Sequence, residues 1–177
     1  MPAGTLDIFV KLDGIDGEST VRGHENETVV LSYEQSIDHP APPLAGGGVA
    51  AGRPTFSGVR FRKPVDKGSI PLLLASAAGS HIREARFTFR RPGTGLDFYK
   101  VILGEVLVTH MAQRAGGGEQ YPLAFDTLIS GADSAGFLDE VTLSYTKIQW
   151  EYQPVSPTGA PVPVVKGGWD LKLNKKI

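Results

Sequence analysis

An all-β fold is what this chain predicts, a two-sheet β-barrel or sandwich with one short flanking α-helix at about residues 69–78. Three observations carry that reading. Short alternating segments rich in β-branched and aromatic residues recur along the chain, separated by clusters of Gly, Pro, Asp and Asn, which is the pattern of antiparallel strands and turns. Only one segment has helical character. The 177 residues, with Gly 22 and Pro 13, suit one folded domain with many turns, and a single domain over 1–177 is expected.

Strands are expected near Leu6–Leu12, Thr28–Gln35, Thr55–Phe61, Glu84–Arg91, Phe98–Thr109, Tyr121–Leu128, Glu140–Tyr152 and Trp169–Leu173. In the fourth, Ala85, Phe87 and Phe89 fall on one face and Arg86, Thr88 and Arg90 on the other, as a half-buried strand requires. The helix runs from Ser69 to Ala78, with Ser69 as N-cap, Pro71 tolerated in the first turn and Gly79 as C-terminal cap. Leu72, Leu73, Leu74 and Ala75 make it apolar around most of its circumference, so it needs cover on several sides. Closure or near-closure of the sheet is expected, because an open sheet exposes its edges.

Two stretches read as loops. The segment from Asp38 to Pro54 has no regular pattern, and its apolar members Leu44 and Val49 favour docking on a partner, since loops of that length are usually functional or disordered. The segment from Gln113 to Gln120 reads as a flexible hairpin connection.

Charge and composition exclude several functions. Lys+Arg 18 against Asp+Glu 19 leave a net charge of -1, so binding of nucleic acid or an anionic membrane through bulk charge is not expected. With Cys 0, disulfides, thiolate metal sites and cysteine nucleophiles are absent. Residues 1–10 have no basic and apolar leader pattern, so export through a signal peptide is not expected. The longest apolar run, Ile70 to Ala78 broken by Ser76, falls short of the roughly 20 residues that span a bilayer.

No constellation of catalytic residues emerges. His24, His39, His81 and His110 are scattered without metal-ligand spacing. Asp13 to Ser19 lacks the alternating carboxylates of a calcium loop and reads as a turn. Gly131 to Gly136 brackets Ser134 without the strand and helix of a nucleophile elbow. Asp139 and Glu140 point to opposite faces of a strand and cannot share an acid–base task. Trp150, Trp169, Tyr145 and Tyr152 read as core or interface packing in preference to a sugar platform. Arg60, Arg62, Lys63 and Lys67, beside Asp66, suit either a solvated face or one side of a charged subunit contact. No enzyme, cofactor or metal is expected.

The element Val65-Asp66-Lys67 leading into the lone helix resembles the haemolysin-coregulated protein (Hcp) family. So do the opening strand Ile8 to Leu12 with its Gly17-Glu18-Ser19 turn, the runs Phe98 to Leu103 and Val106 to Val108, then Val141 to Tyr145, and finally Gly168-Trp169-Asp170-Leu171. Together these cover nearly the whole chain in the family's order. The resemblance implies a subunit of the type VI secretion inner tube, a homohexameric ring that stacks and is expelled when sheath proteins contract. Partners implied are further copies of the chain, a spike protein at the tip, the sheath and small effector proteins carried in the ring lumen. It also implies residence in the bacterial cytoplasm followed by secretion through the machine. Ring contacts are then expected from the helix (Leu72, Leu73) and the long loop (Leu44, Val49). The position of Glu34 lies where cargo contact is expected. Tyr33-Glu34-Gln35 stands where many members carry tryptophan, serine and tryptophan, so cargo preference does not transfer. An alternative role for the ring is mainly that of a lumenal chaperone for effectors.

Overall fold

The computed structural model describes residues 6–40, 52–115, 137–154 and 162–177. Twelve strands and one helix occur among them: β1 (Asp7–Leu12), β2 (Thr28–Val30), β3 (Ser32–Glu34), β4 (Ile37–Asp38), β5 (Thr55–Phe56), β6 (Val59–Pro64), α1 (Ser69–Ala78), β7 (His81–Arg90), β8 (Asp97–Ala115), β9 (Phe137–Ser144), β10 (Lys147–Tyr152), β11 (Val165–Asp170) and β12 (Lys175–Lys176). The expected strand Tyr121–Leu128, the loop residues Leu44 and Val49, the Gly131–Gly136 turn and the remainder of the 113–120 connection beyond Ala115 lie outside the described residues.

The architecture is a two-layer antiparallel sandwich. One layer runs in the order β12-β11-β10-β8-β7-β1-β2 and the other joins β3, β6, β9 and β8. The two layers share β8, a strand of 19 residues. Its first half pairs with β7 and β10, and its second half pairs with β9. A register shift between Val108 and His110 lets the strand pass between layers, the usual work of a bulge.

Alternation fills the space between the layers. Ile8, Val10 and Leu12 of β1 face Phe89, Phe87 and Ala85 of β7, and these in turn stand beside Tyr99, Val101 and Leu103 of β8. From the opposite layer come Val59 and Phe61, Val141 and Leu143, all fully buried. Phe87 meets Phe61 and Tyr33 edge-on, with ring centroids 5.3 and 5.1 Å apart, the geometry aromatic quadrupoles favour. Burial raises the Tyr33 phenol far above its ordinary value, with Tyr145 and Tyr99 adding to the shift. Tyr145 is pushed up to about 12, mainly by burial, and its hydroxyl donates to the Ser57 carbonyl at 3.0 Å.

Four strand expectations need correction: the expected Trp169–Leu173 overlaps β11 just at Trp169 and Asp170, because the chain turns from Leu171 to Asn174 into β12. Thr28–Gln35 is not one strand: β2 pairs with β1, β3 pairs with β6, and between them the Leu31 N–H donates to the Arg62 carbonyl at 2.8 Å, so the segment changes layers there. Glu140–Tyr152 breaks at Tyr145–Thr146, where the chain turns from β9 into β10. Thr55–Phe61 likewise divides into β5 and β6, and among the described residues β5 pairs with β4 alone.

A group of polar side chains lies at the junction of β6, β9 and α1. Lys63 is fully buried, and its Nζ lies 2.8 Å from Asp66 Oδ1, 2.9 Å from Asp139 Oδ2 and 2.8 Å from both Ser69 Oγ and the Pro64 carbonyl. Ser69 Oγ also donates to Asp139 Oδ2, and Gln113 Nε2 of β8 donates to the other Asp139 oxygen at 3.0 Å. The helix therefore starts differently from expectation. Its N-cap is Gly68, and Ser69 is the first helical residue, with its hydroxyl committed to Lys63 and Asp139. Gly79 does cap the C-terminus in the left-handed region (φ 62°), where Ser80 N–H reaches the Ala75 carbonyl, as glycine allows.

A second anchor holds the 13–27 loop on the outer side of β1. His24 is buried and stacks on Phe9 with centroids 4.4 Å apart. Its Nδ1 lies 2.7 Å from Glu27 Oε2 and its Nε2 lies 3.1 Å from Asp97 Oδ1. Gly17 sits so close to the loop's return that a Cβ there would lie 2.4 Å from the Glu27 carbonyl oxygen, so a glycine is required.

Removing one member of a buried ion pair leaves the other charge uncompensated, at about 3–5 kcal/mol. Lys63→Met strips the cation from both Asp139 and Asp66 and should lower the unfolding free energy read from a urea titration by an amount of that order; Asp139→Asn, which leaves Lys63 paired with Asp66, should cost less, and Lys63→Met combined with Asp139→Leu should recover part of the loss. A double variant as unstable as the sum of the singles would count against a coupled pair.

Candidate assembly surfaces

The surfaces follow from the same alternation that builds the core. In the β3-β6-β9-β8 layer, the outward residues are those paired opposite the buried set. Glu34 pairs with Arg60 and Arg60 with Thr142, which stands opposite His110. Arg62 pairs with Glu140, which stands opposite Ala112. Glu34 Oε2 lies 3.6 Å from Arg60 Nη1, both side chains 48% exposed. Arg62 and Arg114 approach Glu140 at 3.5 and 3.4 Å. Among the described residues the layer thus shows a polar outer face on which Arg60 and Arg114 stand beside Glu34 and Glu140. Asp139 and Glu140 do point to opposite faces, the first into the core and the second outward.

This parity also divides the basic cluster read from the sequence. Arg60 is exposed on the outer face, Arg62 shares its strand parity but is buried beside Glu140, Lys63 is inside, and Lys67 is exposed beyond the strand, where its Nζ donates to Asn26 Oδ1 at 3.2 Å. No common basic surface is formed by the four.

The helix presents a narrower face than its composition suggested. Leu72 is 0% exposed and belongs to the core, packed inside the fold, so it is withdrawn as a ring contact. Leu73 is half-buried. The residues the helix offers outward are Ile70 and Leu74, 62% and 64% exposed. Their spacing of four residues puts them on one side of the helix. A reading of composition alone missed them because every position from Ile70 to Ala75 is apolar or proline; the ion cluster at Lys63 decides which side faces in.

The aromatic residues do not form a platform. Tyr145 is buried, and Trp150 and Trp169 are packed against the core. Trp169 stacks with Phe56 at 6.4 Å, and its indole N–H is buried without a hydrogen-bond partner among the described residues. A depression of about 300 Å3 beside that pair is lined by Arg53, Pro54, Thr55, Phe56, Trp169, Leu171 and Asn174, with no nucleophile and base together. Among the described residues no group of three or more His, Asp or Glu side chains is placed to hold a metal ion. Among the described residues no helix is long and apolar enough to cross a membrane.

A sandwich with a filled interior, a polar outer sheet face and exposed aliphatic residues on its helix and margins defines a class of protein: an all-β sandwich with one flanking helix. The family follows from comparison. A family model described as Type VI secretion system effector, Hcp, matches residues 9–152. The protein Hcp1 of Pseudomonas aeruginosa is 30% identical over 172 residues, covering 96% of this chain and 97% of that protein. The crystal structure of Hcp1 from Salmonella typhimurium matches with a TM-score of 0.74 at 26% identity, covering 98% of this chain and 100% of that one. A structure described as a type six secretion system protein matches at a TM-score of 0.82 and 23% identity, with the same coverage, and shows the same fold. The chain belongs to the Hcp family and is a subunit of the type VI secretion tube. That family is one of structural, secreted proteins.

Truncating a buried leucine removes its transfer energy and leaves a cavity, about 2–5 kcal/mol, whereas an exposed one changes stability by about 0.5 kcal/mol or less. Leu72→Ala should therefore lower the denaturation midpoint strongly and Leu74→Ala hardly at all. Equal midpoints for the two variants would contradict this placement of the helix.

Proposed function

We propose that this chain closes into a homohexameric ring, that rings stack into a tube inside the contractile sheath, and that the tube leaves the cytoplasm behind a spike protein with small effectors in its lumen. The chain contributes surfaces and mechanical continuity, with no catalysis and no cofactor. Export proceeds through the machine itself. The observation that carries this reading is family membership over nearly the full chain together with a core occupied by packed side chains. Force on such a subunit is transmitted through its faces, and a head-to-tail ring requires two different complementary surfaces on each copy.

Light scattering behind size exclusion, with negative-stain images of the same peak, tests the ring. A particle of about six chains with a central hole is the expected result; a monomer at high concentration overturns the reading.

A second role rests on the polar face of the β3-β6-β9-β8 layer, where Glu34 is exposed and paired only loosely with Arg60. Turned to the lumen, that face meets cargo, and the ring protects the effector it holds. Glu34→Lys and Glu34→Ala should then change the amount of effector that co-purifies while ring size stays the same. Unchanged recovery with both variants removes Glu34 from cargo binding and leaves the tube reading untouched.

A further inference from the structure

We infer that the ring closes through the two opposite margins of the seven-strand layer, the lysine-bearing β11–β12 margin of one copy docking on the carboxylate-rich 13–27 loop of the next. This rests on the ring reading above and names the surfaces that would make it. In the layer, β12 and β2 stand at opposite ends of the strand order, and the 13–27 loop joins β1 to β2 and lies on the outer side of β1, with its two arms tied together where the Gly17 and Ser19 N–H groups donate to the Asn26 and Glu27 carbonyls.

The two margins carry opposite charge. Residues 164–177 contain Lys166, Lys172, Lys175 and Lys176 against Asp170 alone. Asp170 is buried and accepts the Leu173 N–H at 2.8 Å, so the surface there is basic. Lys166 and Lys172 are held by Glu151 and Glu105, each at 2.7 Å, and Lys172 keeps the Glu105 carboxyl below its ordinary value. Lys175 and Lys176 are exposed and make no ion pair among the described residues. Residues 13–27 contain Asp13, Asp16, Glu18, Glu25 and Glu27 against Arg22. Asp13 pairs with Arg83 at 3.0 Å and Glu27 turns to His24. Asp16 and Glu25 are exposed and make no ion pair among the described residues.

Each margin also exposes aliphatic surface beside its free charges. Val165, Leu173 and Ile177 are 62%, 62% and 45% exposed at the basic margin, and Val21 and Val29 are 38% and 39% exposed at the acidic one. Apolar contact ringed by complementary charge is the usual anatomy of a specific interface. The edge of β11 is also open: β12 pairs only with Trp169 and Asp170, leaving Val165 to Gly167 without a partner on that side among the described residues. A neighbouring copy that covers this stretch removes an exposed strand edge. An isologous contact would set lysine against lysine, whereas the head-to-tail arrangement sets Lys175 and Lys176 against Asp16 and Glu25. The acidic loop is a firm platform for this contact, since His24 and Gly17 hold it against the sheet.

Charge reversal tests the contact, because all four residues are exposed and their exchange leaves the core alone. Two variants, Lys175→Glu with Lys176→Glu and Asp16→Lys with Glu25→Lys, are each examined by light scattering at about 0.1 M salt, where exposed charges still act across about 10 Å, with circular dichroism to verify the fold. Each alone should fall from the wild-type ring mass to that of one chain. Mixed in equal amounts they should reassemble, since the reversed margin of the first meets the reversed loop of the second, and an even-membered ring closes by alternation. The variant carrying all four changes should form rings by itself. Rings of wild-type mass from either single-sided variant overturn the inference, as does failure of both the mixture and the four-fold variant to reassemble. In either case wild-type rings leave the tube reading standing, and a monomeric wild type sinks that reading before the variants are compared.

Discussion

A lysine amine without contact with water needs its charge balanced and its N–H groups engaged at once, and the region around Lys63 is arranged to meet both demands. Asp139 arrives from β9, Asp66 from the turn before the helix, and Ser69 from the first helical residue. Each partner is itself fixed: Gln113 of β8 bonds to Asp139, and Asp66 accepts the Gly68 N–H at 2.9 Å. Desolvation makes a half-satisfied cluster of this kind far worse than an apolar one. The cluster ties β6, β8, β9 and α1 together, and its ionic geometry, with the burial of Leu72, orients a helix whose surface is nearly uniformly apolar. With the orientation settled, Leu72 goes to the core and Ile70 with Leu74 to the outside.

The same logic of anchoring governs the opposite side of the molecule. The 13–27 loop has few apolar residues of its own, yet it is tied to the sheet through the stack of His24 on Phe9 and the carboxylates of Glu27 and Asp97. Arg90 extends that network, reaching Asp97 at 3.2 Å and the Arg22 carbonyl at 3.2 Å. An acidic loop held in one conformation can act as a docking surface at lower entropic cost than a mobile one. Bonded interior and anchored loop therefore belong to one design: the sandwich keeps its shape, and its charged outer surfaces are held in place.

Much of the fold is legible in local pattern. The alternation of Ala85, Phe87 and Phe89 marks β7 and its buried face, and the run from Ser69 to Gly79 delimits the helix, because period and punctuation are local properties. The misreadings have a common cause in contacts distant along the chain. Thr28–Gln35 looks continuous, but the bond from Leu31 to Arg62 passes it between layers. Glu140–Tyr152 looks continuous until Tyr145 turns inward to the Ser57 carbonyl. Ser69 has the character of a helix cap, yet Lys63, six residues earlier, and Asp139, on another strand, claim its hydroxyl. The surfaces were less legible than the core. Arg60, Arg62, Lys63 and Lys67 form a cluster only along the chain, because strand parity sends Lys63 inward.

The sequence by itself determined the fold class, the bounds of the single helix, the absence of cysteine chemistry and the family, since composition, short-range periodicity and motif order survive without coordinates. Only the tertiary structure decided which apolar residues are core and which are surface, which charges are buried or paired, and that lysine-bearing β12 and β2, which the acidic loop leads into, stand at opposite ends of one strand order. These are properties of strand order and desolvation, which join residues separated by most of the chain, and no local pattern carries them.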